Sequence, residues 1–339
     1  MKYIKGFDTL RAISIAMVVT AHSLPNLWIQ DHRIWYLISG DTGVLVFFVI
    51  SGFLITTLLL KEKRMNGIIN LKKFFARRFL RLLPPLVIFY LAILVLMTTG
   101  LIQETYIGLA ISACYLYNFV PNKFYTAELG HTWSLALEEQ FYFSWPFIIS
   151  FIKEKRTLLV LGAFAILFSL LFLLFIYPIE FLGHFKAHRW FIPAISPIMI
   201  GAMLAIAKDQ ISEVISKNWL LVIGLVFFYT TPLYFPKELL MISPIFQSFG
   251  IAFLLLLILN NQGSTGVAVL NNSATSYIGK ISYGIYVYQG LFLRTGPGSD
   301  QWFQQFPQNI ILTLVCAILS FEFLEKYFLK KKKSYSVVN

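Results

Sequence analysis

The sequence predicts an all-α fold: a polytopic transmembrane helical bundle of about ten spans, with both termini cytoplasmic. Three observations predict it. Hydrophobic residues make up 58% of the 339 and charged residues only 13%, where a soluble domain carries about 25% charge. Several apolar runs approach or exceed the ~18 residues needed to cross a bilayer. Lysines and arginines gather at the ends of those runs: residues 61–81 hold eight against one acid, Glu62, and residues 330–333 are four lysines. That is the positive-inside pattern, so the net charge of +12 reads as topological and needs no nucleic-acid partner. Cys114 and Cys316 are the only cysteines, and the five histidines form no close cluster with them. No disulfide framework and no metal site are expected.

The first span covers residues 6–27 and runs outward. The N-terminus also has the form of a secretory signal, with Lys2, Lys5 and an apolar core over 12–21. An uncleaved span is the reading taken, because Asp8 and Arg11 fall inside the helix. Trp28 and Trp35 follow in a short outer loop, where amphipathic rings favour the interface. The second span, 43–60, returns to the basic stretch. The third, 82–99, starts with Pro84 and Pro85 near its first turn. The run 106–120 is short for a span. Were it to cross, Lys153, Lys155 and Arg156 would lie outside, so it is expected to re-enter or to lie along the outer surface. Further spans fit 133–152, 158–177, 191–207, 219–235, 242–260, 277–293 and 310–329. One membrane-embedded domain over 1–333 is expected, with a short cytoplasmic tail at 334–339.

Arg11 and His22 are eleven positions apart, almost three helical turns, so they share a face at an axial separation of roughly 16 Å. Ionisable groups inside a span are costly and ask for a reason. Arg11 has a simple one, snorkelling to headgroups; His22 has another, an interhelical hydrogen bond. The stretch 131–142 is richer: Ser134, Glu138 and Tyr142 recur every four residues on one face. A helix start that favours acids explains Glu139 as readily as Glu138. Arg78 and Arg81 are three apart on a helix entering the membrane, suited to phosphate oxygens or to anionic lipid headgroups. Small residues around Ser51 and Gly52 suggest close helix packing. Tyr283 and Tyr286 bring hydroxyls into the ninth span, to line a cavity or to bond between helices. Glu322 and Glu325 have Lys326 as a ready partner.

Together these pieces resemble the acyltransferase 3 family, integral-membrane O-acyltransferases of bacterial surface glycans. The matching residues are Phe7-Asp8-Thr9-Leu10-Arg11-Ala12 with His22, then Phe47-Phe48-Val49-Ile50-Ser51-Gly52-Phe53-Leu54-Ile55. They continue with Arg78 and Arg81, Thr132-Trp133-Ser134-Leu135 through Glu138 to Tyr142, Ser282-Tyr283 to Tyr286, and Phe323-Leu324-Glu325-Lys326. Their order covers nearly the whole chain. Leu45 stands where many members carry Asp, leaving Asp41 as the nearby acid. Gln289 stands where a histidine often follows the Ser-Tyr motif, and Tyr327 where a proline often follows the Glu-Lys pair. The hydrolase-like domain of fused members is not part of this sequence.

The resemblance implies acyl transfer, acetyl being the commonest case, from cytoplasmic acyl-CoA to a sugar hydroxyl of a lipid-linked or polymeric glycan. The setting it implies is the bacterial cytoplasmic membrane. His22 would be the general base, Arg11 would orient the donor or stabilise negative charge, and Arg78 and Arg81 would hold the CoA phosphates. Glu138 would order the site or hold the acceptor, with Trp133, Ser134, Tyr142, Tyr283 and Tyr286 as substrate contacts. Acyl-CoA is then a co-substrate, and no permanently bound cofactor is expected. A glycan or lipid flippase would need similar polar groups but no CoA. A receptor or anchor would need neither Arg11 nor His22.

Overall fold

A computed structural model describes residues 4–23, 39–178, 186–296 and 299–335, and every regular element among them is helical. The α-helices of seven residues or more are, in chain order, α1 (Phe7–Ser23), α2 (Gly40–Asn66), α3 (Leu71–Thr98), α4 (Tyr106–Ala113), α5 (Thr132–Phe151) and α6 (Lys155–Leu171). After these come α7 (Ser196–Val214), α8 (Lys217–Tyr234), α9 (Ser243–Asn260), α10 (Ser273–Phe292), α11 (Gln308–Leu319) and α12 (Lys326–Lys332). Among the described residues four stretches are long and apolar enough to cross a membrane: Gly40–Asn66, Leu71–Thr98, Lys155–Ile176 and Leu239–Asn260. The loop expected to hold Trp28 and Trp35 lies outside the described residues.

α4 has eight residues, about 12 Å of helix, too short to cross a hydrocarbon core of ~30 Å. It packs beside α3 and α5 instead: the Tyr90 hydroxyl donates to the Ser112 carbonyl at 2.9 Å, and Ser112 donates to Thr132 at 2.7 Å.

The start of α3 differs from the sequence expectation. Pro84 and Pro85 lie inside a helix that begins thirteen residues earlier, at Leu71. The Asn70 side chain accepts from the amide of Lys73 at 3.0 Å and sets that start. The prolines therefore leave the Leu80 and Arg81 carbonyls without their usual helical donors. The basic turn carrying Arg77, Arg78 and Arg81 becomes the first half of one long helix.

Close approach organises the middle of the bundle. A Cβ on Gly52 of α2 would collide with the Ile198 carbonyl oxygen, and one on Gly201 of α7 with that of Val49. The small residues expected to pack closely do so here, backbone against backbone. Gly52→Leu should cut accumulation of folded protein roughly ten-fold or more, because overpacking against backbone cannot be relieved by a rotamer change. Immunoblotting of membranes checks this. Gly263→Ala, where the added atom meets nothing within 4 Å, should leave the level unchanged.

Lys63 at the end of α2 donates to the Ile149, Ser150 and Ile152 carbonyls at 2.5, 3.2 and 2.8 Å. It thus caps the C-terminus of α5 with a cation. At the chain end, Glu322 pairs with Lys326 as its spacing suggests. Glu325 turns inward: Ser320 donates to it at 3.2 Å, and Tyr288 donates to Ser320 at 3.0 Å.

Candidate active site

α1 and α10 run side by side, and α2, α3 and α5 close around them. Their facing side chains leave a cavity of about 160 Å³. Arg11 from α1, Ser51 from α2, Arg78 and Arg81 from α3, Ser134, Glu138 and Tyr142 from α5, and Tyr283 and Tyr286 from α10 all line it. Residues far apart in the chain meet because the helices are long and their i, i+4 faces point inward. Three arginines against one glutamate give the wall a formal charge of +2.

The polar groups are individually held. Arg11 pairs with Asp8 at 3.2 Å. The guanidinium of Arg78 lies 4.4 Å from the centroid of the Tyr142 ring, and the Tyr142 hydroxyl bonds to Ser51. The Tyr283 hydroxyl donates to the Leu82 carbonyl at 2.9 Å, beside the proline pair. Tyr286 and Ser134 share a 2.5 Å hydrogen bond, and Tyr286 also reaches the His131 carbonyl at 3.2 Å. Arg77, by contrast, faces away from the cavity, paired with Glu62 at 3.1 Å and donating to the Tyr335 carbonyl at 2.9 Å. Neither Arg78 nor Arg81 has an ion-pair partner among the described residues. Both remain able to take an external anion.

His22 is not in this wall. The wall includes Ser134 and Tyr286, and the Phe47 and Tyr286 rings meet edge to face at 6.2 Å. His22 lies beyond, its Nδ1 3.2 Å from the side-chain oxygen of Gln289. Gln289 is three residues past Tyr286, about 4.5 Å further along α10. When the amide oxygen is the acceptor in this contact, Nδ1 carries the proton and Nε2 keeps its lone pair. Trp133 is also elsewhere: it lines a second cavity on the far side of Phe48.

Three participants were not assigned from sequence. Gln289 holds His22, although only its place in the Ser-Tyr motif drew attention to it. His131 is 2% exposed and packs edge to face on Phe89 and Tyr286 at 5.3 and 5.5 Å; its place at the head of the Thr-Trp-Ser-Leu stretch was the signal. Lys332, in the C-terminal lysine run, comes near Arg81, Arg78, Arg77 and Arg11. Burial first, then these cations, lowers its pKa to about 7.

A family model described as an acyltransferase domain matches residues 4–322. The chain belongs to the acyltransferase 3 family. A Staphylococcus aureus (strain COL) protein provisionally named an O-acetyltransferase is 30% identical over 98% of this chain and 58% of its own length. The O-acetyltransferase OatA of S. aureus NCTC 8325 is 33% identical over 45% of this chain and 26% of its own. The chain thus spans little more than half the length of the curated relatives it matches. No solved structure matches it. The family and the apolar helices together mark this acyltransferase-family chain as a membrane protein.

Proposed function

We propose that this protein is an integral-membrane O-acyltransferase of the bacterial cytoplasmic membrane. It crosses the bilayer ten times, with both termini inside. It moves an acyl group, acetyl in the first instance, from cytoplasmic acyl-CoA to a hydroxyl of a cell-surface or lipid-linked glycan. The observation that carries the reading is the cavity itself: Arg11, Arg78 and Arg81 converge on one space with Glu138, and among the described residues the two α3 arginines have no ion-pair partner.

The arginines take the CoA phosphates at the inner mouth, and the pantetheine arm enters the cavity toward Ser134 and Tyr286. For the thioester to meet His22, the Phe47–Tyr286 layer must part. His22 Nε2 then takes the hydroxyl proton as the sugar oxygen attacks the thioester carbon. The new C–O bond forms, the C–S bond breaks, and the proton passes to the departing CoA sulfur, giving the ester and free CoA thiol. General-base catalysis of this kind contributes about 10²–10⁴-fold. Gln289 fixes the tautomer that makes Nε2 the base.

The deciding experiment is transfer of label from radioactive acetyl-CoA to surface glycan in membranes with and without the protein, read by mass spectrometry of the glycan. Equal acetyl content in the two would refute the reading.

Lys332 adds a pH signature. Its ammonium is mostly deprotonated above about pH 7 in the free protein, and a bound phosphate restores the proton. Acetyl-CoA binding should therefore take up a proton and weaken as pH rises from 7 toward 9. Isothermal titration at several pH values checks this. Lys332→Met should bind more weakly at pH 6.5 and show a flatter profile.

A further inference from the structure

The second cavity, about 230 Å³, opens among the N-terminal ends of α2, α5 and α9 and the turn at Ala187–Arg189. It shares the Val44 and Phe48 walls with the arginine cavity. The partition between the two is thus one layer of side chains, in which Phe48 meets Trp133 edge to face at 6.0 Å. Trp133 and Ser134, neighbours on α5, face opposite sides of it.

The lining of the second cavity is unlike that of the first. It presents the Trp133 indole with Arg189 5.2 Å from its ring centre, the Asp41 carboxylate, His188 and the Gln247 amide. Gln247 is 3% exposed, and among the described residues its Nε2 has no hydrogen-bond partner. A buried amide donor left unmade is destabilising, so its persistence points to a ligand that completes it. Burial, with Arg189 and Lys186 nearby, lowers the His188 pKa to about 4, so the imidazole is neutral at pH 7. Asp41 and Arg189 then balance to zero. A buried water needs only about 10–15 Å³, far less than this space. An indole wall flanked by one carboxylate, one guanidinium and a free amide suits an uncharged ring bearing several hydroxyls.

We propose that this second cavity is the acceptor subsite and takes one sugar ring, with Gln247 and Asp41 bonding its hydroxyls and Trp133 against its apolar face. The proposal rests on the transferase reading above and deepens it. Donor and acceptor then approach the partition from opposite sides, and His22 stands at its edge. Gly40, between the cavity residues Ser39 and Asp41, is so placed that a Cβ on it would lie 3.7 Å from His22 Nε2.

The test uses native membranes carrying the full chain, with radiolabelled acetyl-CoA as probe and the endogenous glycan as acceptor. Acetyl-CoA binding to purified protein is measured in parallel. Gln247→Leu and, at the exposed rim, Asp41→Asn should each lower acetyl incorporation about ten-fold or more while leaving acetyl-CoA affinity within about two-fold. Gln247→Glu, close in shape, guards against a folding defect and should also lose incorporation while accumulating normally. Wild-type incorporation in both Gln247→Leu and Asp41→Asn would overturn the proposal, as would parallel loss of acetyl-CoA binding. Wild-type membranes that incorporate no acetyl at all would overturn the transferase reading and this inference with it, a result distinct from variants that match a working wild type.

Discussion

His22→Ala should lower acyl transfer by about 10²–10⁴-fold, the range that a positioned general base supplies, while the protein inserts and accumulates normally. The expectation is specific because among the described residues the imidazole makes one hydrogen bond, to Gln289, and it lies outside the arginine cavity. Its loss leaves an amide partner unmet, about 1–3 kcal/mol, which a bundle of this size tolerates. Acetyl-CoA affinity should therefore be unchanged, so that kcat falls and donor binding does not. Gln289→Leu is the companion variant. Without the acceptor at Nδ1 the imidazole is free to take either tautomer, and transfer should drop about ten-fold rather than vanish. Transfer assays on purified protein, with CoA release followed by a thiol reagent, check both. Full activity in His22→Ala would remove the histidine from the chemistry.

Much of the arrangement can be read from spacing alone. The eleven-residue interval from Arg11 to His22 implies one face and a long axial gap. The structure shows what lies along that gap: Arg11 is in the cavity wall with the paired rings of Phe47 and Tyr286, and the wall closes without His22. No property of α1 by itself reveals that closure, because its parts come from α2 and α10. The Ser134, Glu138 and Tyr142 face was legible because a four-residue repeat leaves all three on one side of α5, where they line the cavity. Trp133 breaks the set because the next residue on a helix turns by about 100°, which carries its ring across Phe48 into the other cavity.

The start of α3 was masked by competing signals. Two prolines suggest a beginning, yet Asn70 with Lys73 three residues on carries the capping pattern that sets the true one. The second cavity had no local signature at all. Asp41, Trp133, Arg189 and Gln247 come from four separate segments, and only packing brings them together. One hint was present in the residue types: Gln247 brings an amide into a mostly apolar run, and a polar side chain there must find a partner or serve a site.

Replacing Arg78 and Arg81 together by alanine should weaken acetyl-CoA binding by about 10²-fold or more, since hydrogen bonds to charged groups contribute roughly 1.5–3 kcal/mol each. The single changes need not be equal. Arg78 also packs over the Tyr142 ring at 4.4 Å, and Tyr142 holds Ser51 in the cavity wall, so Arg78→Ala removes packing as well as charge. Arg78→Lys keeps the charge but loses the planar fork and the ring contact, and should still bind about ten-fold more weakly. A role in anchoring to anionic headgroups predicts otherwise: Arg78→Lys would be silent, and Arg64→Ala, exposed at the end of α2, would matter as much as either. Titration of purified wild type and variants with acetyl-CoA separates the two, because a headgroup anchor changes membrane insertion without changing the affinity of inserted protein for a soluble thioester. Unchanged affinity in the double variant would leave the +2 wall without its proposed ligand, and the donor would have to enter by another face of the bundle.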